Sequence, residues 1–567
     1  MKKSTGLTTI FIFLMFLSLA QEPAYPQSYF RHPLNIPMEL VANFGELRTN
    51  HWHMGLDIRT QQRENLPVYS AAEGYISRVS VAPGGFGRAI YINHPNGYTT
   101  LYAHLNNFEP GLHQYIKEQQ YRLSSWQIDL ELHPGQFPVQ KGSFIAYSGN
   151  TGGSAGPHVH FEIRDTKTGK CLNPLLFKFP IADAVAPSIS RLAMYNRNVS
   201  VYGQSPQVLA LKKSGNAYTL AKSNTIISRS DRISFAITAT DRFSRSANPN
   251  GIYSAQTFVD GKLVSGFILD NIDYNETRYM NAHIDYRHKA NGGPWLQHIS
   301  RMEGDTTDIY LPAGETGFRF TDQETHAVRI VVRDANKNQS VISFNVRYEP
   351  IEAAENEVPA DRFLPGQVNI FERPGFQVFT TEYSLYDGVD PVYSQSDQII
   401  PGAVSPVHTF LNAGIPVHDA ITVRITPGRD IPEDLRERVV MKQISGTRTV
   451  IEKVSWQNGQ ATAKFRQFGS WQLFLDQIPP TINSIGTGDT VNLSKATRLV
   501  FTPKDNLNGI RSFKVHVNGQ WLLFTNDKGR TWIYSFDQYF PKGVSELVVT
   551  AEDIAGNVAE RRWHVRR

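Results

Sequence analysis

Apolar and polar residues alternate with a period of two along most of the chain, in short runs broken by glycine, proline and asparagine. Between about Pro33 and Pro180 the runs are "LPVYSAAEGYISRVSV", "GRAIYINHPNGYTTLYAHL", "PVQKGSFIAYSGNTGG" and "GPHVHFEIRD". Period two sends successive side chains to opposite faces of a strand, so each run predicts a strand with one face packed on a core. Asn96-Gly97 in "HPNGY" supplies the positive φ angles of a tight turn and predicts a hairpin. Only "PGLHQYIKEQQY", Pro110 to Tyr121, leaves this period, which predicts one helix inserted over a β core.

Beyond Ala184 the pattern repeats. "GIYSAQTFVDG" (Gly251 to Gly261) and "GIRSFKVHVNG" (Gly509 to Gly519) align without a gap, each preceded by an aspartate, Asp241 or Asp505. Both copies open on a proline signal, "VAPSI" or "IPPTI", and close on "RDANKN" or "EDIAGN" before a final strand. Short strands with frequent turns predict β-sandwiches, and the copies resemble bacterial immunoglobulin-like modules. The first carries an extra segment near Leu269 to Phe320, and a third β-rich unit lies between the copies behind the acidic linker "EPIEAAENEVPAD". The expected fold class is all-β, an antiparallel β domain followed by three β-sandwich-like domains. The expected divisions are 1–20, 33–182, 184–348, 359–477 and 478–567.

Length agrees with several domains, since 567 residues exceed what one core encloses. Residues 1–20 read as an export signal: Lys2 and Lys3, an apolar run from about Leu7 to Leu19, and the small-residue pattern Ser18-Leu19-Ala20. The run is shorter than the roughly 20 residues that span a bilayer, and no later stretch is apolar enough to span. Cys171 is the sole cysteine, which excludes an intramolecular disulfide and leaves no cysteine at the cleavage site to carry a lipid. The expected location is exported, periplasmic or associated with the cell envelope, and not a lipoprotein. A formal charge of +5 gives no sign of a nucleic-acid partner.

The candidate chemistry lies in the first domain. In "GPHVHFEIR" strand alternation puts His158, His160, Glu162 and Arg164 on one face and Val159, Phe161 and Ile163 on the other. His53 and Asp57 stand in His-x-Gly-x-Asp spacing within "NHWHMGLDIR", and His104 ends "YTTLYAH". Two imidazoles and a carboxylate with an open fourth position describe a catalytic zinc site, and the remaining histidines are then free to work as acid and base.

"HMGLD", "YAHL" and "SGNTGGSAGPHVHFEI", in that order and with "VYSAAEGYISRV" between the first two, resemble the lysostaphin/LytM-type zinc endopeptidases that cut peptidoglycan cross-links. The resemblance covers roughly Asn43 to Pro174 and implies a compact antiparallel β fold with an open groove floored by the sheet. It implies one Zn2+ per chain held by His53, Asp57 and His160, with His104 and His158 as the catalytic histidines that activate water and stabilise the tetrahedral intermediate. No glutamate base of the His-Glu-x-x-His kind is present. The implied partners are peptidoglycan peptides, with other envelope proteins reached through the C-terminal β domains. Two rival readings are a catalytically silent LytM-like regulator or activator of cell-wall hydrolases, and an envelope binding or assembly scaffold built on the C-terminal domains.

The roughly thirty residues between "YAHLNNF" and "FPVQKG" are either a groove wall or a surface decoration. His51 and Trp52 read as groove-lining or packing residues, Glu162 as an orienting carboxylate or a salt link to a neighbouring strand, and Gly84, Gly85 and Gly87 as a turn in preference to a close approach for a peptide backbone. The Asp/Asn-rich "DRFSRSANPNG" and "DNLNGI" lack the spacing of a calcium loop and stay unassigned.

Overall fold

A computed structural model describes residues 25–567, apart from residues 245, 351–358, 360, 399 and 508. The export-signal segment at 1–20 and most of the acidic linker therefore lie outside the described residues. The fold is all-β, built largely from antiparallel sheets.

The first domain is organised on one sheet whose strands run in the order Leu40–Ala42, Leu56–Arg59, His158–Asp165, Tyr98–Ala103, Arg88–Asn93, Gly74–Val81 and Ile128–Glu131. The central strand His158–Asp165 pairs antiparallel with two neighbours, so Asp57 and Ala103 both stand opposite His160. Val159, Phe161 and Ile163 on its other face are fully buried with Leu56, Ile58 and Tyr102. Arg88–Asn93 and Tyr98–Ala103 form the hairpin signalled by Asn96-Gly97, where Gly97 takes φ 85°. A small second sheet, Pro67–Tyr69, Phe144–Ser148 and Leu105–Phe108, closes the core.

The helix Pro110–Leu123 begins with proline in its first turn, where no amide partner is lost, and Glu109 accepts from the amides of Gly111 and Leu112. It does not wall the groove: none of the residues lining that groove comes from 109–136. Its outer face instead docks the C-terminal domain, with Tyr121 stacked on Tyr539 at 3.8 Å and Lys117 Nζ donating to Asp537 Oδ2 at 2.7 Å.

Residues 188–348 build two facing sheets. One is centred on Ser188–Asn196 and Arg232–Thr240, the other on Gln339–Tyr348, Thr325–Arg333, Ser254–Val259 and Lys262–Ile268. The extra segment of this unit reaches back to the first domain. Asn271–Ile272 pairs with Cys171–Leu172 and thereby extends the first domain's sheet. Phe44, Trp52, Met54 and Cys171 share one buried cluster with the following sandwich, which makes the junction a continuous core. Residues 370–475 form two five-stranded sheets, and the C-terminal region is a five-stranded sheet with a two-stranded companion.

Candidate metal centre

The strand order brings five residues from three separate stretches of sequence to one point. A short hairpin, Leu47–Arg48 with His51–Trp52, turns through Asn50 at φ 67° and delivers His53 beneath the sheet edge. The next strand carries Asp57 to the position opposite His160. His53 Nε2 and His160 Nδ1 lie 3.0 Å apart, and each is 2.9 Å from Asp57 Oδ1. His158 Nε2 lies 3.4 Å from the same oxygen.

The outward nitrogens fix the tautomers. A carbonyl oxygen only accepts, so His53 Nδ1–H donates to the Asn43 carbonyl at 2.7 Å and leaves Nε2 with its lone pair facing inward. His160 Nε2–H donates to Glu162 Oε1 at 2.8 Å and leaves Nδ1 facing inward. Two lone pairs and a carboxylate oxygen thus converge. Their separations of 2.9–3.0 Å approach the roughly 3.3 Å edge of a tetrahedron with zinc–ligand distances of about 2.0–2.1 Å. The donor set and the hydrogen-bonded outer nitrogens fit a zinc ion, and carboxylate or carbonyl support behind ligand histidines is the usual arrangement.

Charge in the centre is tightly compensated. Burial alone would raise the Asp57 carboxyl, yet His53, His158 and His160 hold it well below the ordinary value. Burial disfavours charge on His160, but Asp57 and Glu162 outweigh it and lift the ring to about 9 without metal. Glu162 is pulled down to about 2 against burial by Arg164 and His160. Glu162 orients His160 through one oxygen, and its salt link goes not to a neighbouring strand but to Arg164 of its own strand, whose Nε donates to the other oxygen at 2.7 Å.

His104 and His158 flank the three converging donors. His104 takes φ 59°, and its Nδ1–H donates to the Thr151 carbonyl at 2.9 Å. His158 Nδ1–H donates to the Gly156 carbonyl at 2.8 Å. Their ring centroids are 4.8 Å apart, with both Nε2 atoms left as acceptors. Burial, then the neighbouring His160 and His158, push His104 down to about 3, so it is neutral near pH 7.

The five residues sit in a groove of about 650 Å³ lined also by His51, Phe86 and Ser154. Gly85 and Gly87 turn at positive φ, and a Cβ on Gly87 would come within 2.6 Å of the Thr151–Gly152 backbone. Only glycine lets this turn press on the segment that holds His104. His51 is exposed at the rim, whereas Trp52 is fully buried against His283 of the next domain. His94 is structural, bonded to the Glu73 carbonyl and Thr100.

Sequence reasoning missed residues that act through contact across domains. Asn43 exchanges two 2.8 Å hydrogen bonds with the Gly251 backbone while its carbonyl holds His53. Tyr274, from the extra segment of the second unit, lines the groove and lies 6.1 Å from Phe86. Lys528, from the C-terminal region, donates to the carbonyl of Ser154, another residue lining the groove, at 2.6 Å. No local pattern marks these residues, because the partners that hold them lie more than 180 residues away.

Fold and centre together define a domain of the LytM type. The description "Peptidase family M23" matches residues 51–121, and the chain belongs to that family. A "Zu5-like domain" matches residues 361–476. An uncharacterized metalloprotease of Haemophilus influenzae is 34% identical over 161 residues, which are 28% of this chain and 27% of that protein. The DD-carboxypeptidase/endopeptidase Mpg of Neisseria meningitidis is 33% identical over 134 residues, 24% of either chain. The chain thus spans about a quarter of the length of these two relatives. Lipoprotein NlpD of Yersinia enterocolitica is 30% identical over 111 residues, 20% of this chain and 88% of that one. Among solved structures, a zinc containing peptidase from Vibrio cholerae is 25% identical, covering 27% of this chain and 41% of that chain with a TM-score of 0.20.

Proposed function

We propose that the protein is an exported zinc-dependent endopeptidase that hydrolyses peptide bonds in peptidoglycan stem or cross-link peptides, acting in the periplasm or cell envelope. The observation that carries this reading is the convergence of His53 Nε2, Asp57 Oδ1 and His160 Nδ1 within 3.0 Å, flanked by His104 and His158 on a groove floor. Relatives named DD-carboxypeptidase/endopeptidase, and the peptidoglycan DD-endopeptidase ShyA of Vibrio cholerae at 26% identity, support the substrate class. The absence of a helix long and apolar enough to cross a membrane among the described residues is compatible with it.

His53, Asp57 and His160 would hold the ion. Bound there, zinc polarises a scissile carbonyl and lowers the pKa of water toward neutrality. His104, neutral and with Nε2 as an acceptor, takes up the proton of the attacking water, and His158 stabilises the developing tetrahedral oxygen as a donor once its Nε2 carries a proton. Phe86 and Tyr274 offer apolar walls to an extended peptide. The domains at 184–348, 359–477 and 478–567, of which the first and last are immunoglobulin-like, position this groove and meet other envelope proteins.

The test is metal analysis of the purified full chain together with a mass-spectrometric digest of cross-linked muropeptides. One zinc per chain and cleaved cross-links are expected, with His160→Ala losing both the metal and at least a thousandfold in rate, of the order that removing a principal catalytic element costs. Cleavage by metal-free protein would overturn the mechanism. A zinc-loaded chain that leaves every muropeptide intact would instead assign it to the catalytically silent regulators.

A further inference from the structure

Three aspartates meet where the first domain hands over to the second. Asp183 lies in the connecting segment, Asp241 follows the strand Arg232–Thr240, and Asp334 follows the strand Thr325–Arg333. One carboxylate oxygen from each lies within 4.8 Å of the others. Asp241 and Asp334 are each only 2% exposed.

Most of the polar atoms around this cluster are already used. Asp334 accepts from Asn338 through both oxygens, and Asp183 Oδ1 accepts from the Val185 amide. Asp241 Oδ1, however, is buried with no hydrogen-bond partner. Asn250 is backbone-paired with Asp241, so its side chain rises from the same face, and its buried Oδ1 is equally without a partner. Burying a carboxylate oxygen and an amide oxygen unpaired beside two further carboxylates is costly unless a positive charge joins them. Burial, and then the Asp334 and Asp183 charges, push Asp241 up to about 8 when nothing compensates them.

The arrangement recurs in the second copy of the repeat. Asp476, Asp505 and Asp553 meet within the same 4.8 Å. Asn557 serves Asp553 as Asn338 serves Asp334, and the Ile478 amide serves Asp476 as that of Val185 serves Asp183. The oxygen left unpartnered is again Oδ1 of the aspartate after the inner strand, Asp505. Two copies that diverged elsewhere kept one pattern of used and unused oxygens.

We propose that Asp183, Asp241 and Asp334 bind a divalent cation of the calcium class, with Asn250 Oδ1 as a further donor. An all-oxygen set suits a hard cation rather than zinc, and oxygens up to 4.8 Å apart fit around an ion that takes its ligands at about 2.3–2.6 Å. Because Asp183 belongs to the connecting segment and the other two to the sandwich, the ion clamps the connection. That sandwich carries Gly251, which holds Asn43, and the segment with Tyr274, so the clamp fixes the groove wall relative to the metal centre.

The test uses the full chain with its histidine site preloaded with zinc, and Ca2+ alone as the probe, measured by equilibrium dialysis and by the shift of Tm. The unaltered chain should bind Ca2+ and melt at a higher temperature with it, and Asp241→Asn should bind one Ca2+ fewer. If Asp241→Asn fails to fold by circular dichroism, Asp183→Ala, in the connecting segment, should show the same loss. An unaltered chain that binds no Ca2+, or folded variants that bind as much as it does, would overturn the proposal. So would an Asp241→Asn chain that is more stable in chelator while the unaltered Tm ignores Ca2+, since the carboxylates would then be sharing a proton.

Discussion

Glu162 is wholly buried, with one oxygen on His160 and the other on Arg164, so its charge reaches the metal centre through a single hydrogen bond. A carboxylate behind a ligand imidazole raises the basicity of the inward nitrogen and fixes the ring. Glu162→Gln keeps an acceptor for Nε2–H but removes the charge. Zinc affinity should fall by about 10- to 100-fold, read by competition with a chelator of known affinity. An unchanged affinity would reduce Glu162 to a partner for Arg164 alone. The stretch "NHWHMGLDIR" divides at this scale as well. His53 and Asp57 face the centre while His51 lies at the rim: the short strand ends at Trp52, and His53 beyond it is turned inward by its bonds to the Asn43 carbonyl and Asp57.

At the scale of elements, the groove wall is a loan from the neighbouring domain. The short helix Met280–His283 buries His283 against Trp52 at 5.6 Å and Phe267 at 4.5 Å, with Nδ1 hydrogen-bonded to the Tyr310 hydroxyl. Burial pushes His283 down to about 4, against an unfolded value of about 6.5. Between these values the unfolded chain binds the extra proton, so the contribution of the neutral ring is complete above about pH 6.5 and is lost as pH falls toward 4. The loss is on the order of 3 kcal/mol. Urea midpoints should drop between pH 7 and 4.5, and His283→Gln should flatten that drop; identical pH profiles for the two chains would contradict this. Tyr274 lies on the same segment, so acid should loosen the wall before the first domain's own core.

At the scale of the whole molecule, the first domain does not own all of its core. Phe44, Trp52, Met54 and Cys171 are buried with the second unit, and Cys171–Leu172 takes a strand partner from it. A chain ending near Ile181 therefore exposes a large indole, a phenylalanine and an open sheet edge, which favours aggregation. It should be poorly soluble, whereas a chain ending near Asp476, past the last residue of that shared core, should stay monomeric and retain the zinc site, both read by size-exclusion chromatography. A soluble, monomeric short chain would show the joint core to be dispensable. At the far end Lys528 and the Tyr121–Tyr539 stack fold the C-terminal region back onto the first domain, against the Gly84–Gly87 turn and the inserted helix.

The sequence alone determined the strands, the hairpin at Asn96-Gly97, the helix after Glu109 and the face on which His158 and His160 lie, since period two, turn chemistry and capping act between residues close in the chain. Its family motifs also named the five residues that the strand register brings together. What the tertiary structure decided is everything set by contacts between distant segments. It placed Asp57 across from His160, assigned the inserted helix to domain docking instead of the groove, and supplied the wall from Tyr274 and the support of His53 from Gly251 through Asn43. It also gathered Asp183, Asp241 and Asp334, which are scattered over some 150 residues and fit no local loop spacing. A periodic pattern reports which face of a strand is buried. It does not report which element buries it, because that depends on how whole domains pack.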